Sequence, residues 1–257
     1  MEIVTIPCLQ DNFAYLLICP NTGEAAVIDP SEADPVRKEL NRQNVKLTAI
    51  LNTHHHWDHV GGNKELKCDF PELKIYGHFS DRGRIPEQTQ FLEDGDQVIF
   101  GKQTGSFLHN PGHTSGAITY LFGKTAFTGD TLFAAGCGRL FEGTPNQMHD
   151  SLNNRIGKLP DYTELYFGHE YTEKNLLFAL SVEPGNMGLN KKLADIKIRR
   201  SSGKFSTPTT IAEEKQTNPF LRCNSDEIKG FVNSSDPDND LTEKEVFRTL
   251  RELKDVF

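Results

Sequence analysis

Thr53-His54-His55-His56-Trp57-Asp58-His59, the stretch THHHWDH at residues 53–59, decides how the chain is read. Four of the nine histidines fall within six residues, beside a carboxylate. Four charged imidazoles this close would repel one another, and a metal ion keeps them neutral because a ligating imidazole must give up its proton. In an extended segment side chains alternate, so His54 and His56 point one way while His55 and Trp57 point elsewhere. The chain then bends, and the adjacent Asp58 and His59 aim at a second point. Two imidazoles on one centre, and a carboxylate plus an imidazole on another, describe a paired-metal site of the kind whose ions stand roughly 3.5–4 Å apart. The plainer reading is a histidine-rich surface loop, and recurrence of the same device downstream decides against it.

Working outward, residues 47–51 (LTAIL) read as a buried strand and residues 60–66 (VGGNKEL) as a turn opening a helix. Upstream, residues 2–6, 13–18 and 24–29 are short apolar runs that predict an antiparallel meander. That meander ends at Asp29, which is either a turn former or the partner of a ligating histidine. Asp34-Pro35 then predicts a helix start, with Asp34 as N-cap and Pro35 at the first helical position. Downstream come a strand at 73–76 and a tight-turn signal at Asp94-Gly95-Asp96. His113 follows the corner Pro111-Gly112, Asp130 follows Gly129, and His169 follows Gly168, each at the end of an apolar run. Several strand ends therefore deliver a histidine or aspartate after a glycine, and surface decoration does not explain the full set. His78 reads as a surface or capping residue, His109 as a strand residue, and His149 as a solvated helix residue. After Tyr171 the pattern turns helical, over 174–182, 190–200, 210–216 and 242–256, with a polar loop at 236–240. The expected division is a catalytic domain at 1–172 and a small helical domain at 173–257.

Composition limits the partners. The 257 residues carry 28 basic and 36 acidic side chains, a net charge of −8. From Glu170 onward there are 14 basic and 15 acidic residues, so nearly all of the acidic excess lies in the first 169, where imported divalent charge would offset it. No basic face suited to nucleic acid is present, and no apolar run approaches the roughly 18 residues of a membrane span. The N-terminus, MEIVTIPCLQDNF, reads as a strand and not as a targeting segment. Five scattered cysteines without a C-x-x-C pair predict free thiols in a reducing, cytoplasmic compartment. Cys137, in the glycine-rich AAGCGRL, is expected to line the site without doing chemistry.

THHHWDH, PGHT at 111–114, TGDTLF at 128–133 and FGHEYT at 167–172 together resemble the metallo-β-lactamase superfamily's H-x-H-x-D-H pattern and its later His, Asp and His. AGCGRLFEGT at 135–144, PTTIAEE at 208–214, NPFLR at 218–222 and the terminal R-x-x-K at 251–254 narrow the resemblance to the hydroxyacylglutathione hydrolase (glyoxalase II) family. The resemblance implies an α/β fold, an αββα sandwich followed by a helical domain. It implies one metal held by His54, His56 and His113 and another by Asp58, His59 and His169, with Asp130 and a water-derived hydroxide between them and Asp58 also orienting that hydroxide. Two divalent ions per chain are implied, zinc first, with iron or manganese as substitutes. The implied substrate is a glutathione thioester such as S-lactoylglutathione, cleaved by a cytoplasmic monomer to glutathione and a 2-hydroxy acid (D-lactate) in methylglyoxal detoxification. Its thiol portion would lie against Arg139, Phe141, Tyr171, Arg251 and Lys254. Relatives carry Lys-x-Tyr where this chain has Arg139-Leu140-Phe141, so the charge is kept and a hydroxyl at 141 is lost. The alternatives are another enzyme of the fold, such as a persulfide dioxygenase with a single metal, or a non-catalytic metal-binding protein.

Overall fold

A computed structural model of the chain describes residues 1–238 and 240–257. Asn239, in the polar loop expected at 236–240, lies outside the described residues. The chain forms two compact units, residues 1–109 with 115–129, and residues 110–114 with 130–257.

In the first unit, β1 (Glu2–Cys8), β2 (Asn12–Ile18) and β3 (Glu24–Ile28) form the expected antiparallel meander. Helix α1 (Ala33–Gln43) then crosses over, so that β4 (Lys46–Leu51) pairs parallel to β3. Short helices α2 (Trp57–Val60) and α3 (Asn63–Asp69) make the next crossover to β5 (Lys74–His78), and β6 (Gln90–Leu92) completes a mixed sheet in the order β1 to β6. Strands β7 (Val98–Phe100), β8 (Gln103–His109), β9 (Ile118–Phe122) and β10 (Thr125–Gly129) are joined antiparallel in a second sheet. The turn at Asp94-Gly95 does not close a hairpin. It passes the chain between sheets, because β6 bonds to β5 whereas β7 bonds to β8.

Patterning explains the layers. Every residue of β2 is buried, as expected of a strand covered on both faces. Ala14, Leu16 and Ile18 face Val36 and Leu40 of α1 and Leu66 of α3 in one apolar cluster. Tyr15 faces the opposite way, its ring 5.5 Å from that of Phe127 on β10, and Tyr120 donates its hydroxyl to the Asn52 carbonyl at 3.0 Å. Helix α1 starts earlier than the Asp34-Pro35 signal predicts. Its N-cap is Glu32, and Asp34 lies inside the first turn, paired with Arg37 at 2.7 Å. Proline fits there because first-turn N–H groups have no intrahelical acceptor.

The second unit contains the hairpin β11 (Leu132–Phe133) and β12 (Gly136–Cys137), helix α4 (Pro145–His149), and β13 (Glu164–Phe167) paired with β14 (Thr209–Thr210). Helices α5 (Thr172–Val182), α6 (Met187–Ser201), α7 (Ile211–Thr217), α8 (Asp226–Ser235) and α9 (Glu243–Val256) supply the rest. Four of these match helical stretches read from the sequence; α8 does not. Gly230 and paired serines weaken its intrinsic propensity, and burial of Ile228 and Val232, one turn apart, holds it in place. His149 is a correction. It is buried and not solvated, its ring edge-on to Phe247 of α9 at 5.6 Å.

The family motifs at 208–222 have a physical reason. Glu214, fully buried, accepts from Ala135 N at 2.7 Å and from Asn218 Nδ2 at 3.0 Å. Asn218 Nδ2 also donates to the carbonyls of Phe133 and Gly136. A helical segment thus fixes the backbone that leads to Cys137, Gly138 and Arg139.

Candidate metal centre

The candidate donors lie in the segments that follow strand ends, two of them on helix α2. Parallel pairing of β3 and β4 places Ile28 opposite Leu51, so Asp29 stands beside Thr53. The Asp29 carboxylate is buried and accepts from Thr53 N at 2.7 Å, Thr53 Oγ1 at 2.6 Å and His59 Nδ1 at 3.0 Å. Of the two readings of Asp29, the partner of a histidine is the one observed. Thr53 spends its hydroxyl proton on Asp29, so its oxygen accepts from His54 Nδ1 at 3.0 Å. Both His54 and His59 are thereby held as Nδ1–H tautomers with Nε2 presented as a lone pair. A carboxylate behind an imidazole is the usual device that orients a metal ligand.

The spacing suits an ion. His54 Nε2 and His56 Nδ1 lie 3.1 Å apart. Two nitrogens about 2.0–2.1 Å from one tetrahedral zinc would stand roughly 3.3 Å apart. Asp58 Oδ2 is 3.7 Å from His59 Nε2. His55 points elsewhere, as alternation predicts, with Nδ1 3.1 Å from Asp81. The loop of residues 29–32 packs closely over this turn: a Cβ at Gly61 would stand 2.3 Å from the Ser31 carbonyl oxygen.

The second unit carries the remaining three candidate donors. Asp130 Oδ2 lies 3.2 Å from His169 Nε2 and 3.6 Å from His113 Nε2. The same oxygen faces both imidazoles. His113 Nδ1 donates to the Arg139 carbonyl at 2.8 Å, which again leaves Nε2 for a ligand. The rings of His169 and Tyr171 stack at 4.7 Å with planes 4° apart, and Phe141 stands edge-on to His113 at 5.3 Å.

The residues expected at the thiol portion differ in character. Phe141 is exposed, and Arg139 is mostly exposed with an ion pair to Asp255 at 3.5 Å. Lys254 stands 5.0 Å over the Phe178 ring. Burial, followed by the nearby charges of Arg251 and Lys174, pulls its ammonium down to about 8. Arg251 is buried, donating to the Cys137 carbonyl at 2.8 Å and to Asp255 at 3.0 Å. Burial pushes the Cys137 thiol up, which suits packing and not nucleophilic chemistry. Asp255, absent from the sequence reading, was detectable as the i+4 neighbour of Arg251 on one helix face.

Residues 11–169 match the model of the metallo-beta-lactamase superfamily, and residues 170–257 match that of the hydroxyacylglutathione hydrolase C-terminus. A hydroxyacylglutathione hydrolase of Trichodesmium erythraeum (strain IMS101) is 47% identical over 264 residues, covering 100% of both chains. This chain belongs to the hydroxyacylglutathione hydrolase family. Its fold is the metallo-β-lactamase α/β fold with a C-terminal helical domain. The solved structure of ETHE1 from Myxococcus xanthus superposes with a TM-score of 0.66 at 26% identity, covering 93% of this chain and 92% of that one. TTHA1623 in a di-iron-bound form superposes with a TM-score of 0.60 at 27% identity, covering 86% of this chain and 100% of the other. Among the described residues no helix is long and apolar enough to cross a membrane.

Proposed function

We propose that this chain hydrolyses S-(2-hydroxyacyl)glutathione thioesters, S-lactoylglutathione among them, to glutathione and a 2-hydroxy acid, D-lactate in that case, at a centre of two divalent ions. End-to-end kinship with hydroxyacylglutathione hydrolases supplies the substrate class. The geometric observation that carries the reading is the single Asp130 oxygen facing both His113 and His169, the arrangement expected of a carboxylate between two cations. His54, His56 and His113 would hold one ion, and Asp58, His59 and His169 the other, each set offering three N or O donors. Those donors suit zinc first and accept iron or manganese.

Ions held by these residues would supply a water of lowered pKa and a counter-charge for the negative charge that develops on the thioester oxygen. The chain's own residues do the remaining work. Asp29 and Thr53 fix the tautomers of His59 and His54, and the Arg139 carbonyl fixes that of His113. Asp58 orients the attacking oxygen. The leaving group is a thiolate with an ordinary pKa of about 8.5, so no dedicated general acid is required. Arg139 and Lys254, with Arg251 behind them, present cationic charge to the glutathione carboxylates. Phe141 and Tyr171 offer aromatic surface beside His113 and His169. Residues 173–257 act as the substrate-binding domain of a cytoplasmic monomer.

Metal analysis should give close to two ions per chain, and the same sample should consume S-lactoylglutathione, followed as loss of thioester absorbance. A chain holding one iron and consuming oxygen would overturn the reading in favour of a dioxygenase.

Lys254 gives a pH signature. Its ammonium is lost as pH rises through about 8, so KM for the anionic thioester rises between pH 7 and 9 while kcat changes less. Lys254→Arg, which stays charged, flattens that rise; an unchanged KM in Lys254→Ala removes this residue from binding. Stability moves in the opposite sense. The unfolded lysine, with a pKa near 10.4, binds more protons than the folded one between about pH 8 and 10.4, so the Lys254 contribution to stability improves over that window.

A further inference from the structure

Helix α2 carries Asp58 and His59 but lasts only four residues. A longer helix would pair the Asp58 carbonyl with Gly62 N–H, yet that N–H is directed at the Pro30 carbonyl at 2.8 Å. Two asparagine side chains take over the helix's carbonyls. Asn52 Nδ2 donates to the His59 carbonyl at 3.1 Å, and Asn12 Nδ2 donates to the Asp58 carbonyl at 3.0 Å. Asn12 goes further, because the same nitrogen lies 3.1 Å from Asp58 Oδ2. That is the oxygen 3.7 Å from His59 Nε2, hence the one turned toward the ligand cluster. Asn12 is itself 4% exposed and cannot swing away. It closes the β1–β2 hairpin opposite Cys8, and the hairpin's other side is tied by Leu9 N donating to Glu32 Oε2 at 2.6 Å.

We infer that Asn12 is a positioning residue for Asp58, its amide holding both the main chain and the carboxylate of that residue so that Oδ2 is aimed beside His59. The inference rests on the proposed two-ion hydrolase. A neutral amide donor is the group such a role requires. An aspartate at this position would place a second carboxylate against the first, and an apolar residue would release the Asp58 rotamer. The hairpin turn at residues 9–11 is therefore part of the metal centre's support and not a bare connection.

The test compares Asn12→Asp and Asn12→Ala with the unchanged chain, each loaded with zinc, in three measurements. They are kcat and KM on S-lactoylglutathione, the chelator concentration that releases the second ion, and Tm. The expected result in both variants is a fall in kcat of about 10–100-fold, KM held within about twofold, and release of one ion at a chelator concentration about 10–100-fold lower. Asn12→Ala adds no charge, so it remains informative if Asn12→Asp fails to fold. Kinetics and chelator resistance like those of the unchanged chain, with only Tm lowered, would reduce Asn12 to a hairpin brace and overturn the inference. Loss confined to KM would overturn it as well. Metal release is read without substrate. An unchanged chain that binds two ions but leaves the thioester intact would sink the substrate reading alone, while the Asn12 comparison still stands.

Discussion

Asp130→Asn is expected to lower kcat on S-lactoylglutathione by about a thousandfold while the fold persists. At 1.36 kcal/mol per decade this amounts to about 4 kcal/mol of transition-state stabilisation, the upper range for removing one preorganised electrostatic group. The cause is charge and not shape. One oxygen of Asp130 faces His113 and His169 together, and an amide oxygen in its place brings no negative charge to hold two cations side by side. Metal content should therefore drop from about two ions toward one. The fold should survive because the preceding backbone is set independently. Gly129 adopts φ +49°, and a Cβ there would stand 2.3 Å from Thr53 Oγ1, so the chain's course up to residue 130 does not depend on the carboxylate. Near-ultraviolet circular dichroism, metal analysis and kinetics on one sample check all three statements. Retention of two ions with undiminished kcat would remove Asp130 from the centre.

The second large effect is expected at a residue that touches no ion in the proposed arrangement. Asp29→Ala leaves three buried donors without their acceptor: Thr53 N, Thr53 Oγ1 and His59 Nδ1. Each unsatisfied group costs about 1–3 kcal/mol, and a total near 3 kcal/mol would lower Tm by roughly 6–12 °C in a chain of this size. Freed from its anchor, His59 should also lose its fixed tautomer, weakening metal affinity about 10–100-fold. Asp29→Asn separates the two effects. Asparagine tolerates the positive φ of +45° at this position and can still accept from Thr53, so Tm should recover more than metal affinity does. Calorimetry with and without excess zinc reads both quantities. Equal Tm in Asp29→Ala and the unchanged chain would show that the three hydrogen bonds carry no stability.

Arg251 shows why residue type alone did not settle role. On the sequence it is one of three cations suited to a carboxylate ligand, whereas in the structure its guanidinium is buried against the Cys137 carbonyl and Asp255. His149 makes the same point in reverse, a histidine read as solvated and found packed against Phe247. The Asp255 pair has a local i+4 signal, but the burial of Arg251 against Cys137 and of His149 against Phe247 has none, because each depends on how α9 lies on segments about a hundred residues earlier in the chain. Helix α8 lacks a local signature for a related reason: its glycine and serines argue against a helix, and two buried side chains overrule them.

What the sequence by itself determined was the chemistry and the family. Donor types cannot be altered by folding, and glycine followed by His or Asp at successive strand ends leaves its mark in the order of residues. The meander, the strand at LTAIL and four of the five C-terminal helices were legible because apolar periodicity is a local property. Only the tertiary structure decided which atom of each donor is presented, and it did so through partners remote in sequence. Asp29 reaches His59 across 30 residues, Arg139 holds His113 across 26, and Asn12 reaches Asp58 across 46. A hydrogen bond needs a few ångströms of approach and a defined angle, and tertiary packing within each unit, such as that of β3 beside β4 for Asp29, supplies them where the linear order of residues does not.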